Sequence, residues 1–259
     1  MEKTVCIIRK DKMMKKTLGC IRRASEDYKM IDDGDRIAVG VSGGKDSMLL
    51  LKALKLYRMF SKKQFELEAV TVDLGLGNFD TELIRQYCDS LDIPSHIIKT
   101  EIGQVIFDIR KESNPCSLCS RMRKGAFYTA AKELSCNKAA FAHHADDVIQ
   151  TLLLSIIFEG KLRTFLPVTY LSRMDITLIR PFIYLPEKDI IGAVNHDHIP
   201  IAKNPCPADK KTKREEIKNL IDRLRELNPD VKKSLFAAIK NKENYLMWDK
   251  SGMDNEQNS

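Results

Sequence analysis

Short apolar runs alternate with stretches of helical apolar/polar period along most of this chain. Residues 36–41 (RIAVGV) are a compact apolar run entering a glycine turn, which predicts a buried strand. Residues 47–58 (SMLLLKALKLYR) follow at helical spacing, with Ser47 near the start. The unit then repeats, with a strand over 66–74 (ELEAVTVDL), a helix over 81–92 (TELIRQYCDSLD) and a strand over 95–100 (SHIIKT). After a loop come a long helix near 119–135, a strand over 138–144 (KAAFAHH) and a strongly apolar helix over 146–158 (DDVIQTLLLSIIF). A fifth strand is expected at 176–182 (ITLIRPF). A helix opens near Pro186, a residue suited to a first turn. Strands alternating with helices predict a doubly wound α/β fold, a parallel sheet covered on both faces. Ligands in such sheets sit beyond the carboxyl ends of the strands, at the topological switch point.

The flanks read differently. Residues 10–30 form a basic helical pattern ahead of the sheet. From Asp209 onward the text is helical and highly charged, broken at Asn228-Pro229. The expected organisation is a basic helical segment over 1–30, the α/β domain over 31–205, a small helical extension over 206–248, and a polar, aperiodic tail over 249–259 that reads as disordered.

Composition narrows the function classes. Hydrophobic residues make up 43% and charged residues 31%, enough for a core beneath a solvated surface. No apolar run approaches the ~18–20 residues that span a bilayer, and the lysine-rich start lacks a signal-peptide core, so a cytoplasmic protein without membrane partners is expected. The net charge of +7 favours an anionic partner, as it would in any basic enzyme. The cations gather at Lys10–Lys16 with Arg22 and Arg23, at Arg121–Lys124, at Lys161 and Arg163, and at Lys210–Arg214. A single Trp gives little support to a stacking platform for single strands. Seven cysteines, an odd number, argue against a disulfide framework and for thiols with metal or redox work.

The sharpest chemical signal is Ser42-Gly43-Gly44-Lys45-Asp46-Ser47, set between a predicted strand and helix. Paired glycines let the backbone turn tightly and offer N–H groups to an anion, and the helix start adds its dipole. Lys45 supplies a point charge, and Ser42 and Ser47 supply hydroxyls. The Walker A spacing is absent. A second constellation, Ala142-His143-His144-Ala145-Asp146-Asp147, ends the fourth predicted strand and opens a helix. Taken alone, its two carboxylates read first as ordinary capping residues. If the fourth strand lies beside the first, they reach the crevice at the glycine loop. The third signal is Cys116-Ser117-Leu118-Cys119, expected in a loop after Pro115 and followed by Arg121, Arg123 and Lys124. A C-x-x-C pair supplies only two metal ligands.

The hexapeptide resembles the SGGKDS signature of the PP-loop ATP pyrophosphatases, which cleave ATP between the α- and β-phosphates. That likeness implies a five-stranded parallel, HUP-type (Rossmann-like) sheet, an adenylated intermediate and Mg²⁺. CSLCSRMRKG, AHHADDVIQTLLL, GKLRTFLP, Arg180-Pro181-Phe182 and Glu187-Lys188-Asp189-Ile190 together resemble the 2-thiocytidine tRNA synthetase (TtcA-type) family over residues 18 to 230. Ala142 departs from that family's GHHxDD glycine. The family holds a [4Fe–4S] cluster on three cysteines. The matching late position here is Cys206, without the second C-x-x-C that other members carry at this place. The resemblance implies metal ligands Cys116, Cys119 and Cys206, with zinc left open. It implies an ATP-binding set of Ser42, Gly43, Gly44, Lys45, Asp46, Ser47, Asp73 and His143, and a catalytic set of Lys45, Asp46, Asp146, Asp147 and Arg123. Cys88 and Cys136 read as packing residues, and Cys6 and Cys20 match no motif.

The implied reaction adenylates the C2 oxygen of a tRNA cytidine, at position 32 of the anticodon loop, and replaces it with sulfur delivered through the cluster. Cations beside the thiols are expected to lower their pKa and favour ligation. The sulfur donor would be a cysteine desulfurase or sulfide; the oligomeric state stays open, a homodimer included. A uridine 2-thiolase, a lysidine-synthetase-like adenylating enzyme, and an RNA-binding ATP or iron–sulfur sensor remain rival readings. Reversing the charges of Arg22 and Arg23 is expected to weaken tRNA binding and flatten its salt slope. Unchanged affinity across a salt series removes the N-terminal helix from the tRNA surface.

Overall fold

The computed structural model describes residues 12–110, 115–203, 205–206 and 213–241. The expected tail over 249–259 and Cys6 lie outside the described residues. Helix α1 (Lys12–Tyr28) precedes β1 (Arg36–Gly40), and α2 (Lys45–Phe60) carries the chain back to β2 (Glu66–Asp73). Next come α3 (Thr81–Ser90), β3 (Ser95–Lys99) and a short α4 (Ile102–Gln104) that runs into a π turn (Val105–Ile109). The second half holds α5 (Pro115–Glu133), β4 (Lys138–Ala140), α6 (Ala145–Glu159), β5 (Val168–Leu171), β6 (Ile176–Ile179) and α7 (Glu187–His196). Two further helices follow, α8 (Lys213–Leu227) and α9 (Val231–Lys240), with the break at Asn228–Asp230.

The sheet order is β3-β2-β1-β4-β6-β5. The five expected strands are all parallel. The sixth, β5, is antiparallel to β6 and was not among the strands expected from the pattern. Its Tyr170 points outward, as suits an edge. Both faces of the sheet are apolar, which is why the strands read as continuous runs. Ile37 and Val39 of β1 face the layer of α1, α2 and α7, with Met14, Ile21, Leu50, Leu54, Phe182 and Ile190 in one core. Ala38 of β1 and Val70 of β2 turn to the opposite face and meet Phe127, Ala130 and Ala131 of α5. Gly40 has no room for a side chain there, since a Cβ would lie 2.5 Å from the Phe141 ring.

β4 is shorter than expected and stops at Ala140. His144 leaves the sheet as the N-cap of α6, and its N–H donates to Asp147 Oδ2 at 3.0 Å. The strongly apolar α6 is packed on two sides. Val148 enters the main core, and Ile149 joins Ile217 and Ile221 of α8 beside Val231, Leu235 and Phe236 of α9. Because β1 lies directly beside β4, and the chain leads from them to β2 on one side and to β6 on the other, the crevice at their carboxyl ends is the switch point.

The amino ends of the same strands carry a buried charge network. Asp35 is 4% exposed and accepts from the Asp32 N–H at 2.5 Å and Asn137 Nδ2 at 2.8 Å, and it pairs with Lys138 Nζ at 2.7 Å. Removing one partner of a buried pair strands the other charge. Asp35→Ala is therefore expected to cost about 3 kcal/mol of unfolding free energy in urea, with nucleotide affinity unchanged. A loss below about 0.5 kcal/mol would show that Asp32 alone satisfies Lys138.

Candidate active site

The glycine loop turns between β1 and α2. Gly43 adopts φ +76°, and a Cβ there would meet Ala202 Cβ at 2.7 Å, so both backbone conformation and space require glycine. The loop is fastened from within. Ser47 Oγ donates to the Gly44 carbonyl at 3.0 Å and accepts the Ser42 N–H at 3.1 Å, with Ser42 Oγ 3.2 Å away. Lys45 Nζ lies 3.0 Å from Asp46 Oδ2 and 3.0 Å from Glu187 Oε1. Burial opposes the Lys45 charge, but Asp46 and Glu187 outweigh it and raise its pKa.

Four carboxylates meet here. Asp146, 5% exposed, accepts the Glu187 N–H at the start of α7 at 2.7 Å and pairs with Lys232 Nζ of α9 at 2.8 Å. Burial pushes its pKa up, yet these two donors more than offset that and hold it below the usual carboxylate range. Asp147 Oδ1 pairs with Arg214 NH1 of α8 at 3.0 Å, and the guanidinium also donates to Gln150 and Thr151. Lys218 Nζ lies 3.4 Å from Glu187 Oε1. His144, buried, stands 3.5 Å from Asp147 and 3.8 Å from Asp46. Asp46 Oδ1 is buried without a hydrogen-bond partner, the kind of orphan oxygen that a cation or water completes.

The thiol pair corrects the expected loop. Cys116 and Cys119 lie in the first turn of α5, which starts at Pro115, a residue pre-set for that position. A spacing of three puts both thiols on one helix face. Residues 199–203 pass the glycine loop, and the Ala202 N–H donates to the Gly43 carbonyl at 3.0 Å. Cys206 follows this strap closely in sequence, and its charge is felt at Cys119 together with those of Cys116 and Arg123. The expected lowering of thiol pKa fails at Cys119, where burial outweighs Arg123 and the thiol is raised. Cys88 and Cys136 are buried and pushed up to about 11 by burial, consistent with packing roles.

His143 turns its ring to an aromatic neighbour. Its ring packs 5.0 Å from Phe165, and its Nδ1 is buried without a partner. Burial pulls its pKa to about 4 against the pull of Asp147, so the imidazole is neutral near pH 7. Arg180, just past β6, stacks on Phe165 at 4.8 Å and is lowered to about 10 by burial.

Residues 16–224 match the PP-loop domain family. Curated tRNA-cytidine(32) 2-sulfurtransferases align over nearly the whole length. The Geotalea uraniireducens protein is 37% identical over 89% of this chain and 93% of its own. The Geobacter sulfurreducens protein is 38% identical over 88% and 90%. The chain belongs to this PP-loop sulfurtransferase family. Its fold is also that of a solved structure, the U34-tRNA thiolase NcsA from Methanococcus maripaludis with its [4Fe-4S] cluster. That likeness has a TM-score of 0.73 and 22% identity, and covers 91% of this chain and 80% of the thiolase.

Within this PP-loop framework, Lys45, Asp46, Asp146 and Asp147 come together. Arg123 stands with the thiols instead. Asp73 ends β2 on the far side of β1, its Oδ1 accepting the Gly75 N–H at 3.0 Å. Sequence reasoning missed Glu187, Arg214, Lys218 and Lys232 as site residues. Glu187 reads as ordinary acid at a helix start, and the others read as the solvated face of charged helices. Arg22 faces a cleft of about 820 Å³ with Lys15, Phe60, Lys62 and Lys63, whereas Arg23 is drawn onto the Tyr184 ring at 4.4 Å. Among the described residues no helix is long and apolar enough to cross a membrane. Gly43→Ala is expected to weaken nucleotide binding at least about ten-fold, because it strains φ and displaces the strap. Equilibrium titration checks this; wild-type affinity would mean that the loop and Ala202 yield freely.

Proposed function

We propose that the protein is an ATP-dependent tRNA thiolase that converts a cytidine, at position 32 of the anticodon loop, to 2-thiocytidine. The observation that carries this reading is the strap over 199–203. It is hydrogen-bonded to the glycine loop at Gly43, and Cys206, close behind it in sequence, acts on Cys119 through its charge. A site suited to activating an oxygen and a site suited to handling sulfur are thus served by one short stretch of sequence. The names and identities of the sulfurtransferase relatives support cytidine over uridine.

ATP would lie with its phosphates on the Ser42–Ser47 backbone, held by Lys45 and the two serine hydroxyls. The cytidine C2 oxygen attacks the α-phosphorus, the bond to the β-phosphate oxygen breaks, and pyrophosphate leaves. Mg²⁺ fits the oxygen-rich donor set here, which offers the unpartnered Asp46 Oδ1 and the carboxylates of Asp146 and Asp147. It takes one or two protein carboxylates beside substrate phosphates and neutralises charge on them. Sulfide then bonds to C2, the C2–oxygen bond breaks, and AMP departs with the original oxygen. Oxygen is exchanged for sulfur with no net change of oxidation state.

The thiols suit an iron–sulfur cluster. Cys116 and Cys119 share one helix face, and the charge of Cys206 acts on Cys119. Cys116, Cys119 and Cys206 would hold the cluster, leaving one iron without a protein ligand. A bound cluster would supply a place for sulfide to be presented to the base. Arg123, beside Cys119, would stabilise negative charge on the adenylated intermediate. His143, neutral and half-buried, would border the nucleotide without adding charge.

Anaerobically purified protein, given ATP, sulfide and unmodified tRNA, is expected to release AMP and pyrophosphate and to form 2-thiocytidine detectable by nucleoside mass spectrometry. Asp46→Asn should abolish pyrophosphate release. Cys116→Ala, Cys119→Ala and Cys206→Ala should each lose iron and sulfide and stop thiolation. Iron-free wild type, or thiolated uridine in place of cytidine, would overturn the corresponding part of the reading.

A further inference from the structure

The cations that close the acidic cluster come from the end of the chain, and the reaction as described leaves them without a task. Arg214 and Lys218 lie on α8 and Lys232 on α9, and Lys232 lies beyond residue 224, where the match to the PP-loop domain ends. Each engages a carboxylate at the phosphate loop. Lys218 and Lys45 share Glu187 Oε1, Lys232 holds Asp146 Oδ1, and Arg214 holds Asp147 Oδ1. Docking of these helices does not require such pairs. Ile217 and Ile221 of α8, with Leu235 and Phe236 of α9, already form an apolar seam on Ile149 and Leu153 of α6, and burial of that area holds the layers together.

The pairing is balanced without a ligand: Asp46, Asp146, Asp147 and Glu187 face Lys45, Arg214, Lys218 and Lys232. A divalent cation that takes Asp146 or Asp147 releases a basic side chain within reach of the loop. The polyphosphate that arrives with the metal supplies the anionic oxygens that side chain then needs. Every buried charge keeps a partner through this exchange, which is the condition for it to be inexpensive. Arg214 has the planar fork that suits two phosphate oxygens at once, and the two lysines act as point charges.

We propose that Arg214, Lys218 and Lys232 form a pyrophosphate clamp, in which the C-terminal helices bind the β- and γ-phosphates of ATP and then the leaving pyrophosphate. The inference rests on reading Ser42–Ser47 as the phosphate loop. It gives α8 and α9 a role in nucleotide binding rather than only in packing. It also places the contacts on the part of ATP that leaves, so AMP gains nothing from them.

The test is calorimetric titration of Mg²⁺-pyrophosphate, the α,β-methylene analogue of ATP, and AMP into the full-length protein and its variants. Arg214→Gln and Lys232→Met should each weaken pyrophosphate and the analogue by about ten-fold or more, with AMP affinity held within about two-fold. Lys232→Arg should restore most of the loss. In the wild type, pyrophosphate or the analogue should slow amide hydrogen exchange in α8 and α9, and AMP should not. Unchanged pyrophosphate affinity in both neutral variants, a parallel loss of AMP affinity, or α8 and α9 amides indifferent to pyrophosphate would each overturn the clamp. If the wild type binds neither pyrophosphate nor the analogue, the phosphate-loop reading falls instead.

Discussion

The carboxylate of Asp146 is the point on which the rest of the site depends. It lies at the start of α6, almost fully buried, and a buried anion is costly unless hydrogen-bonded or paired. It is satisfied by the Glu187 N–H at the start of α7 and by Lys232 from α9. Through Glu187 it reaches Lys45 of the glycine loop. One buried charge thereby ties four elements that are far apart in sequence.

The second organising feature is the strap from Ile199 to Lys203. Gly43 lets the backbone adopt a positive φ and leaves space for Ala202, so the strap and the phosphate loop fit only together. A raised Cys119 pKa in this protein is what burial dictates for a bare thiol. Coordination to a metal deprotonates such a group outright, so the shift does not oppose ligation.

Most of the fold was legible in the chain. The five parallel strands and their helices announced themselves as apolar runs and helical periods, because both faces of the sheet are buried. The missed strand β5 had a usable cue in Val168-Thr169-Tyr170-Leu171, a β-branched and aromatic run of the kind edges use. The boundaries erred where tertiary contacts intervene. β4 ends early since His144 must cap α6, and α5 starts early since Pro115 can open a helix as readily as it can close a loop.

The sequence by itself displayed the glycine loop, the paired aspartates and the C-x-x-C pair, because each motif is local, whereas Cys206 was singled out only by the family resemblance. The adjacency of β1 and β4 was decided by the sheet, and with it the meeting of Asp46 with Asp146 and Asp147. So was the company those carboxylates keep. Arg214, Lys218 and Lys232 look in sequence like any solvated helix face, and only packing of the apolar seam of α8 and α9 onto α6 turns them inward. Charge on a helix is visible in a sequence. Which charge it will face depends on which apolar face is buried beneath it, and that is settled only when the layers pack.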